Sequence, residues 1–198
     1  MKKFFYILVL VMIYTLSFAQ QPKPESVVSI RGTAIKNIGE IKDMWETGSA
    51  IYASYENISH INQFSYLFQL GYINFSENPD YKFEGNDASF FMIPIQIGGR
   101  YYFTLKTFRP FLMAMSGLNI YSSKYPLEPA TDSDKEDLYD GTTVKVNFQV
   151  GLGIAIKLFS NLQLEILGNY NSHILNASTH YNITGLEFGA GLNWTLGK

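Results

Sequence analysis

The chain has 198 residues and a formal net charge of −2; it is 46% hydrophobic, 16% charged and 16% aromatic, with 16 glycines and no cysteine. That length suits one domain, and the missing cysteines exclude a disulfide framework, a thiolate metal site and a lipid-anchored N-terminal Cys. The near-neutral balance leaves no basic footprint of the kind that nucleic-acid binding requires, and the charged fraction lies well below the roughly 25% of an average soluble domain.

Residues 1–19 read as a secretory signal peptide. Lys2 and Lys3 form a positive n-region, Phe4 to Leu16 an apolar h-region, and Ser17-Phe18-Ala19 places small residues where a signal peptidase reads them. The apolar run is too short for a membrane anchor, and polar Gln20-Gln21-Pro22-Lys23-Pro24 follows at once. Cleavage after Ala19 leaves 20–198 as one expected domain.

Beyond it, no apolar run approaches the ~18 residues of a membrane helix. Alternation of period two, the mark of strands with one apolar and one polar face, recurs instead. Weaker versions cover about 27–35 and 48–57. Phe64, Tyr66, Phe68, Leu70 and Tyr72 then oppose Gln63, Ser65, Gln69 and Gly71. Next, Phe91, Ile93, Ile95, Ile97, Tyr101 and Phe103 oppose Met92, Pro94, Gln96, Gly98 and Arg100. A third weak strand spans about 109–121. The clearest stretch follows: Val144, Val146, Phe148, Val150, Leu152, Ile154, Ile156 and Leu158 lie on one face, with Lys145, Asn147, Gln149, Gly151, Gly153, Ala155 and Lys157 on the other. It far exceeds the ~5–6 residues of a typical globular strand. Leu162, Leu164, Ile166 and Tyr170, then Leu186, Phe188, Ala190, Leu192, Trp194 and Leu196, mark the apolar faces of the last two strands.

Short links near 58–61, 104–107 and 158–161 alternate with long polar links near 36–47, 76–88, 122–142 and 174–183. Eight strands wired in this way predict an all-β, eight-stranded antiparallel up-and-down transmembrane β-barrel, with short periplasmic turns and long extracellular loops. Charge placement agrees. Arg31, Glu56, Arg100, Arg109, Lys145, Lys157, Glu165 and Glu187 all fall on the face opposite the apolar one, although Glu56 helped to set the parity of its own weak strand. A lipid-facing arginine or lysine at mid-membrane costs about 2–4 kcal/mol. A soluble lipocalin-type barrel would put the apolar face inward. The opposite arrangement is favoured by glycines on the polar faces, suited to a crowded lumen, and by an aromatic girdle of Tyr72, Tyr101, Phe103, Tyr170 and Trp194 towards the strand ends.

The run Ile93-Pro94-Ile95-Gln96-Ile97-Gly98-Gly99-Arg100-Tyr101-Tyr102-Phe103, followed by Arg109-Pro110-Phe111-Leu112, resembles the small outer-membrane β-barrel family, porin-family or OmpA/OmpX-like. Gly151-Leu152-Gly153 leading to Asn161-Leu162, and the closing Phe188-Gly189-Ala190-Gly191-Leu192, fit the same resemblance. It implies a cell outer-membrane location, contact with outer-membrane lipid and insertion by the barrel-assembly machinery. Such chains usually end on an aromatic residue; this one ends Trp194-Thr195-Leu196-Gly197-Lys198.

Chemical signatures are sparse. The resemblance admits lipid-modifying outer-membrane enzymes that act through Ser and His, but Ser178-Thr179-His180 reverses the His-x-Ser order and lies in a loop. Ser172 and His173 are adjacent and so point to opposite faces of a strand. His60 falls in a short turn. Gly151-x-Gly153 has no following helix to make a nucleotide site, so inward small residues explain it. Asp132, Asp134, Glu136, Asp137 and Asp140 in the third long link offer oxygen ligands to calcium but lack EF-hand spacing. No cofactor, metal or catalytic residue is therefore expected.

An eight-stranded barrel has an interior that side chains just fill, and buried charges need partners. Arg31, Glu56, Arg100, Lys145, Lys157, Glu165 and Glu187 are expected to form a lumen ion-pair network that plugs the barrel. The expected function is a structural or surface-interaction role carried by the long loops, with Tyr121, Tyr125, Tyr139 and the acidic residues of the third link as contact candidates for an unidentified surface ligand. A narrow porin-like channel is the alternative, and a lipid-modifying enzyme the third reading. A monomer is expected.

Overall fold

The computed structural model describes residues 24–78, 89–124, 140–174 and 184–196. The expected signal peptide, residues 1–19, and most of three long links lie outside that set. Eight strands form a closed antiparallel barrel in simple sequence order. They are β1 (Glu25–Asn37), β2 (Thr47–Ile58), β3 (Phe64–Ser76), β4 (Ser89–Tyr102), β5 (Phe108–Lys124), β6 (Asp140–Lys157), β7 (Leu162–Ile174) and β8 (Thr184–Leu196). Closure comes from β1 pairing with β8, Ile30 opposite Leu192, which leaves no unpaired sheet edge.

All eight expected strands are present, and the alternation holds along each. On β6, Val144, Val146, Phe148, Val150 and Leu152 are exposed, while Lys145, Asn147 and Gln149 are buried. The strands run further into the long links than the sequence suggests. Asp140 therefore lies on β6 rather than in a loop, Tyr121 lies on β5 within the expected strand span, and the long β5–β6 ladder ends on the pair Lys124 and Asp140. At the other end, Phe103 and Leu158 fall just beyond β4 and β6, in the turns.

The short turns share one end of the barrel. In the β2–β3 turn, the Phe64 amide donates to Asn62 Oδ1 at 3.2 Å and the Ser59 amide to the Phe64 carbonyl at 2.9 Å. Gln63 closes that turn at a φ of 59°, in the left-handed region.

The exterior is an apolar belt. Ile30, Tyr66, Ile97, Leu152 and Phe188 are all more than half exposed. The five expected girdle residues also face outward, with Tyr72 and Tyr170 towards the long-link end and Tyr101, Phe103 and Trp194 towards the short-turn end.

Two apolar clusters interrupt the polar interior. Val27, Ile58, Leu67, Tyr102, Phe111, Met113, Met115, Ala155 and Leu167 cluster near the short turns. Ile35, Trp45, Ala50, Tyr52, Ile73, Phe75, Phe90, Met92 and Tyr121 cluster at the long-link mouth. Inward glycines make room where large side chains cross. A Cβ on Gly71 would run into the Tyr52 ring, and one on Gly153 would lie 2.5 Å from Phe111.

Candidate functional site

The lumen and its long-link mouth hold the barrel's functional geometry. Between the two apolar clusters, β1, β2, β4 and β7 supply a buried charge cluster. Arg100 reaches Glu165 through two hydrogen bonds, Nη1 to Oε2 at 2.6 Å and Nη2 to Oε1 at 3.1 Å. The same Nη1 donates to Glu56 Oε2 at 3.2 Å, and Arg31 Nη1 donates to Glu165 Oε1 at 3.2 Å. Asn193 completes Glu165, while Tyr102 and Ser65 donate to Glu56. These four charged side chains are at most 3% exposed. Both guanidinium groups also lie over rings, Arg31 over Tyr52 at 4.9 Å and Arg100 over Phe111 at 4.5 Å.

An amide chain extends the cluster across the lumen. Arg31 donates to Gln69, Gln69 to Gln96, Gln96 to Asn147 and Asn147 to Asn119. These five side chains therefore link one to the next across the lumen.

Arg31, Glu56, Arg100 and Glu165, four of the seven residues expected in a lumen network, meet in one cluster. Glu187 is also interior, but its oxygen Oε2 accepts from the neutral groups of Tyr52, Gln149 and Asn171 rather than from a cation. Lys145 is buried nearer the long-link mouth, its Nζ 5.2 Å from the Tyr121 ring rather than in the central cluster. Lys157 corrects the expectation. It is the last residue of β6, half-buried at the rim, and it joins no ion pair among the described residues. Its strand position put it on the inner face, but the barrel ends there.

Tyr121 is a second correction. It is 2% exposed and packs edge-on against Phe90, so it is interior rather than an exposed contact. Asp140 begins β6 as a strand residue. Tyr125, Asp132, Asp134, Glu136, Asp137 and Tyr139 lie outside the described residues, as do Ser178 and His180. His173 lies on β7, and His60 lies in the β2–β3 turn, 3.9 Å from Glu25.

Two features escaped the sequence reading. At the short-turn end, Arg109 on β5 crosses the lumen to Glu25 on β1 at 3.3 Å, and Gln163 and Thr195 donate to the same carboxylate. Starting the first strand at about 27 hid Glu25. At the other end, the β1–β2 link folds over the mouth. Its Trp45 is 1% exposed, with its ring centroid 5.7 Å from Phe90. Asn37 holds the Trp45 carbonyl through its side-chain nitrogen at 3.1 Å, and the Asn78 amide donates to the Met44 carbonyl at 2.8 Å. The apolar pair Met44-Trp45 inside a polar link was the available signal. Below the cap, a void of only about 10 Å³ borders Asn171 and Met92, roughly the space one water needs. Outside it, a depression of about 470 Å³ is lined by charges of both signs, Lys36, Lys42, Asp43 and Glu46 among them.

Among the described residues, no group of three or more His, Cys, Asp or Glu side chains is placed to hold a metal ion.

No family model and no curated protein matches the chain. Solved structures do. The neisserial surface protein A is 19% identical with a TM-score of 0.61, over 86% of this chain and 97% of that one. Ail, the attachment invasion locus protein of Yersinia pestis, is 14% identical with a TM-score of 0.55, over 87% of this chain and all of its own. A major outer membrane protein from Thermus thermophilus is 11% identical with a TM-score of 0.52, over 86% and 99%. The likeness is one of fold: this chain has the architecture of the eight-stranded outer-membrane β-barrels.

Proposed function

We propose that this protein is exported through its N-terminal signal, spans the outer membrane, and serves a structural or surface-interaction role through its long links. Its apolar belt faces lipid. Its lumen is filled by side chains and conducts no solute. The observation that carries this reading is the double closure of the interior: the Trp45 cap at one level and the Arg31–Glu165–Arg100–Glu56 cluster below it. Among the described residues, the void below the cap is about 10 Å³, which supports ligand contact at the links outside the belt.

Planar-bilayer recording of the purified protein tests this. Rare or no openings are expected; frequent stable openings would put the narrow-channel reading in its place. Mass analysis of lipid A with and without the protein should show the same acyl chains. A change in acylation would overturn the non-enzymatic reading.

A further inference from the structure

The belt is not equally tall around the barrel. On β6 the outward side chains from Val144 to Ile156 are all apolar, a run of thirteen residues. On β2 the run shrinks to Ile51, Ala53 and Tyr55, five residues bounded by Ser49 and Asn57. On β1 it reaches from Val28 to Ala34, bounded by Ser26 and Lys36. A strand rises about 3.3 Å per residue and tilts by roughly 35–45° in a barrel, so each residue adds about 2.5 Å of height. The apolar wall is then about 30 Å tall on β6, about 15 Å on β1 and about 10 Å on β2. Only the first matches a hydrocarbon core of about 30 Å.

Register fixes what lies at equal height. From Ser49 the ladder runs through Asn74, Phe91 and Ser122 to Thr142 on β6. In the other direction it runs through Ala34, Phe188 and Gly168 to Leu152 on the same strand. The two routes cross equal numbers of strands and slant oppositely. Val146 and Phe148, midway between their ends, therefore share the height of Ser49, and they are 48% and 42% exposed. One wall shows a hydroxyl where the opposite wall shows valine and phenylalanine. Leaning the barrel would move a wall up or down without lengthening its apolar run.

Both edges of the short side are polar. Below, Ser26 Oγ lies 3.1 Å from Tyr55 Oη and accepts from Asn57 Nδ2 at 3.4 Å. Above, exposed Ser49 and Thr47 adjoin Lys36, the strand partner of Thr47. The Lys36 side chain is 65% exposed on the outward face, with Nζ 3.9 Å from Glu46. A lysine can reach out of hydrocarbon along its stem; serine and threonine are too short to do so. Ser116, within the apolar face of β5, instead donates its hydroxyl to the Asn147 carbonyl at 3.0 Å.

We propose that the β1–β2 wall holds a locally thinned bilayer, with phosphate-bearing lipid headgroups drawn down to Thr47, Ser49 and Lys36, while the opposite wall at β6 faces a bilayer of full thickness. A bilayer thins around a short apolar face at modest cost per ångström. The inference rests on the reading that the barrel spans a membrane. A two-fold contact between copies on this wall would bring their Lys36 side chains towards one another, whereas lipid phosphate meets that charge.

Nitroxide labels in dioleoyl-phosphatidylcholine vesicles test this, and the chain has no cysteine of its own to compete for them. Ser49→Cys and Val146→Cys place labels at nearly one height on opposite walls. A water-soluble nickel chelate should relax the first several-fold more than the second. Oxygen, which concentrates in hydrocarbon, should favour the second. Oxygen reaching both labels alike, with nickel excluded, would overturn the thinning and leave a spanning barrel. Nickel reaching both would overturn the membrane-spanning reading itself. A label at position 49 shielded from both reagents would overturn the proposal by placing protein on that wall, a second copy included. A second measurement uses unlabelled protein. The wild-type denaturant midpoint should fall from dilauroyl to dioleoyl vesicles, and the double variant Thr47→Leu, Ser49→Leu should lose much of that fall. A fall absent from wild type, or unchanged in the double variant, would overturn the proposal.

Discussion

Arg100 on β4 and Glu165 on β7 stand three strands apart around the wall, yet they meet in two hydrogen bonds of 2.6 and 3.1 Å. Both side chains are 1% exposed, and Arg31 shares the same carboxylate. Removing one member of a buried pair typically costs about 3–5 kcal/mol, because the remaining charge stays buried without its partner. Glu165→Gln should therefore lower the temperature at which the folded band disappears on gels by far more than Lys157→Gln at the rim. Equal, small effects would show that the cluster does not hold the walls together.

The Arg109–Glu25 contact is longer, at 3.3 to 3.4 Å, and less buried. The Glu25 side chain is 13% exposed at the short-turn end, so water and salt reach it. Exposed ion pairs contribute little and are screened. Arg109→Met is expected to destabilise less than Arg100→Met, and its deficit should shrink between low and high salt. Arg100→Met should show no such salt dependence in chemical denaturation.

Period two revealed the barrel because most inner faces are polar where they cross the membrane centre. The three weak strands are weak for a physical reason. Inward Phe111, Met113 and Met115 on β5, Ala50, Tyr52 and Ile58 on β2, and Val27 and Ile35 on β1 build the two apolar clusters, so both faces of those strands look alike. Parity could place Arg31, Arg100 and Glu165 inside but not state which charges meet. Contacts across the lumen depend on strand tilt and stagger, which no single strand encodes. Trp45 was hidden because it lies in a link, where alternation carries no information.

Trp45 and Trp194 are the only tryptophans in the chain, and they lie in opposite environments, 1% and 49% exposed. Trp194→Phe leaves the cap as the sole emitter. Its emission should be blue-shifted and shielded both from acrylamide and from brominated lipid tails. Trp45→Phe leaves Trp194, which brominated lipids should quench strongly. Quenching of Trp45 by acrylamide to the level of a free indole would mean that the β1–β2 link does not seat in the mouth.

Tyr52 lies across the face of Gly71, its partner residue on β3. A methyl group at position 71 would run into Tyr52 Cδ1 and stand 3.0 Å from Pro94. Overpacking of this kind costs roughly 1–3 kcal/mol. Gly71→Ala should destabilise by that order in urea titration, and Tyr52→Leu in the same background should recover part of the loss, because the clashing ring is gone. No recovery in the double variant would place the strain elsewhere.

The outward belt makes the sharpest claim about surroundings, since a soluble barrel would not expose it. Leu70 is 46% exposed and sits between the Tyr72 end and the Tyr66 end of β3, near mid-belt. Phe103 is 55% exposed but lies past the end of β4, at the belt's edge. Arginine on a barrel's lipid face costs about 2–4 kcal/mol at the midplane and about 0–1 near the interface. Leu70→Arg should therefore destabilise the barrel in phospholipid vesicles far more than Phe103→Arg does, as measured by reversible denaturant titration. In detergent micelles, which rearrange around a charge, the gap should narrow. Equal costs at the two positions in vesicles would mean that the belt does not sit in a bilayer.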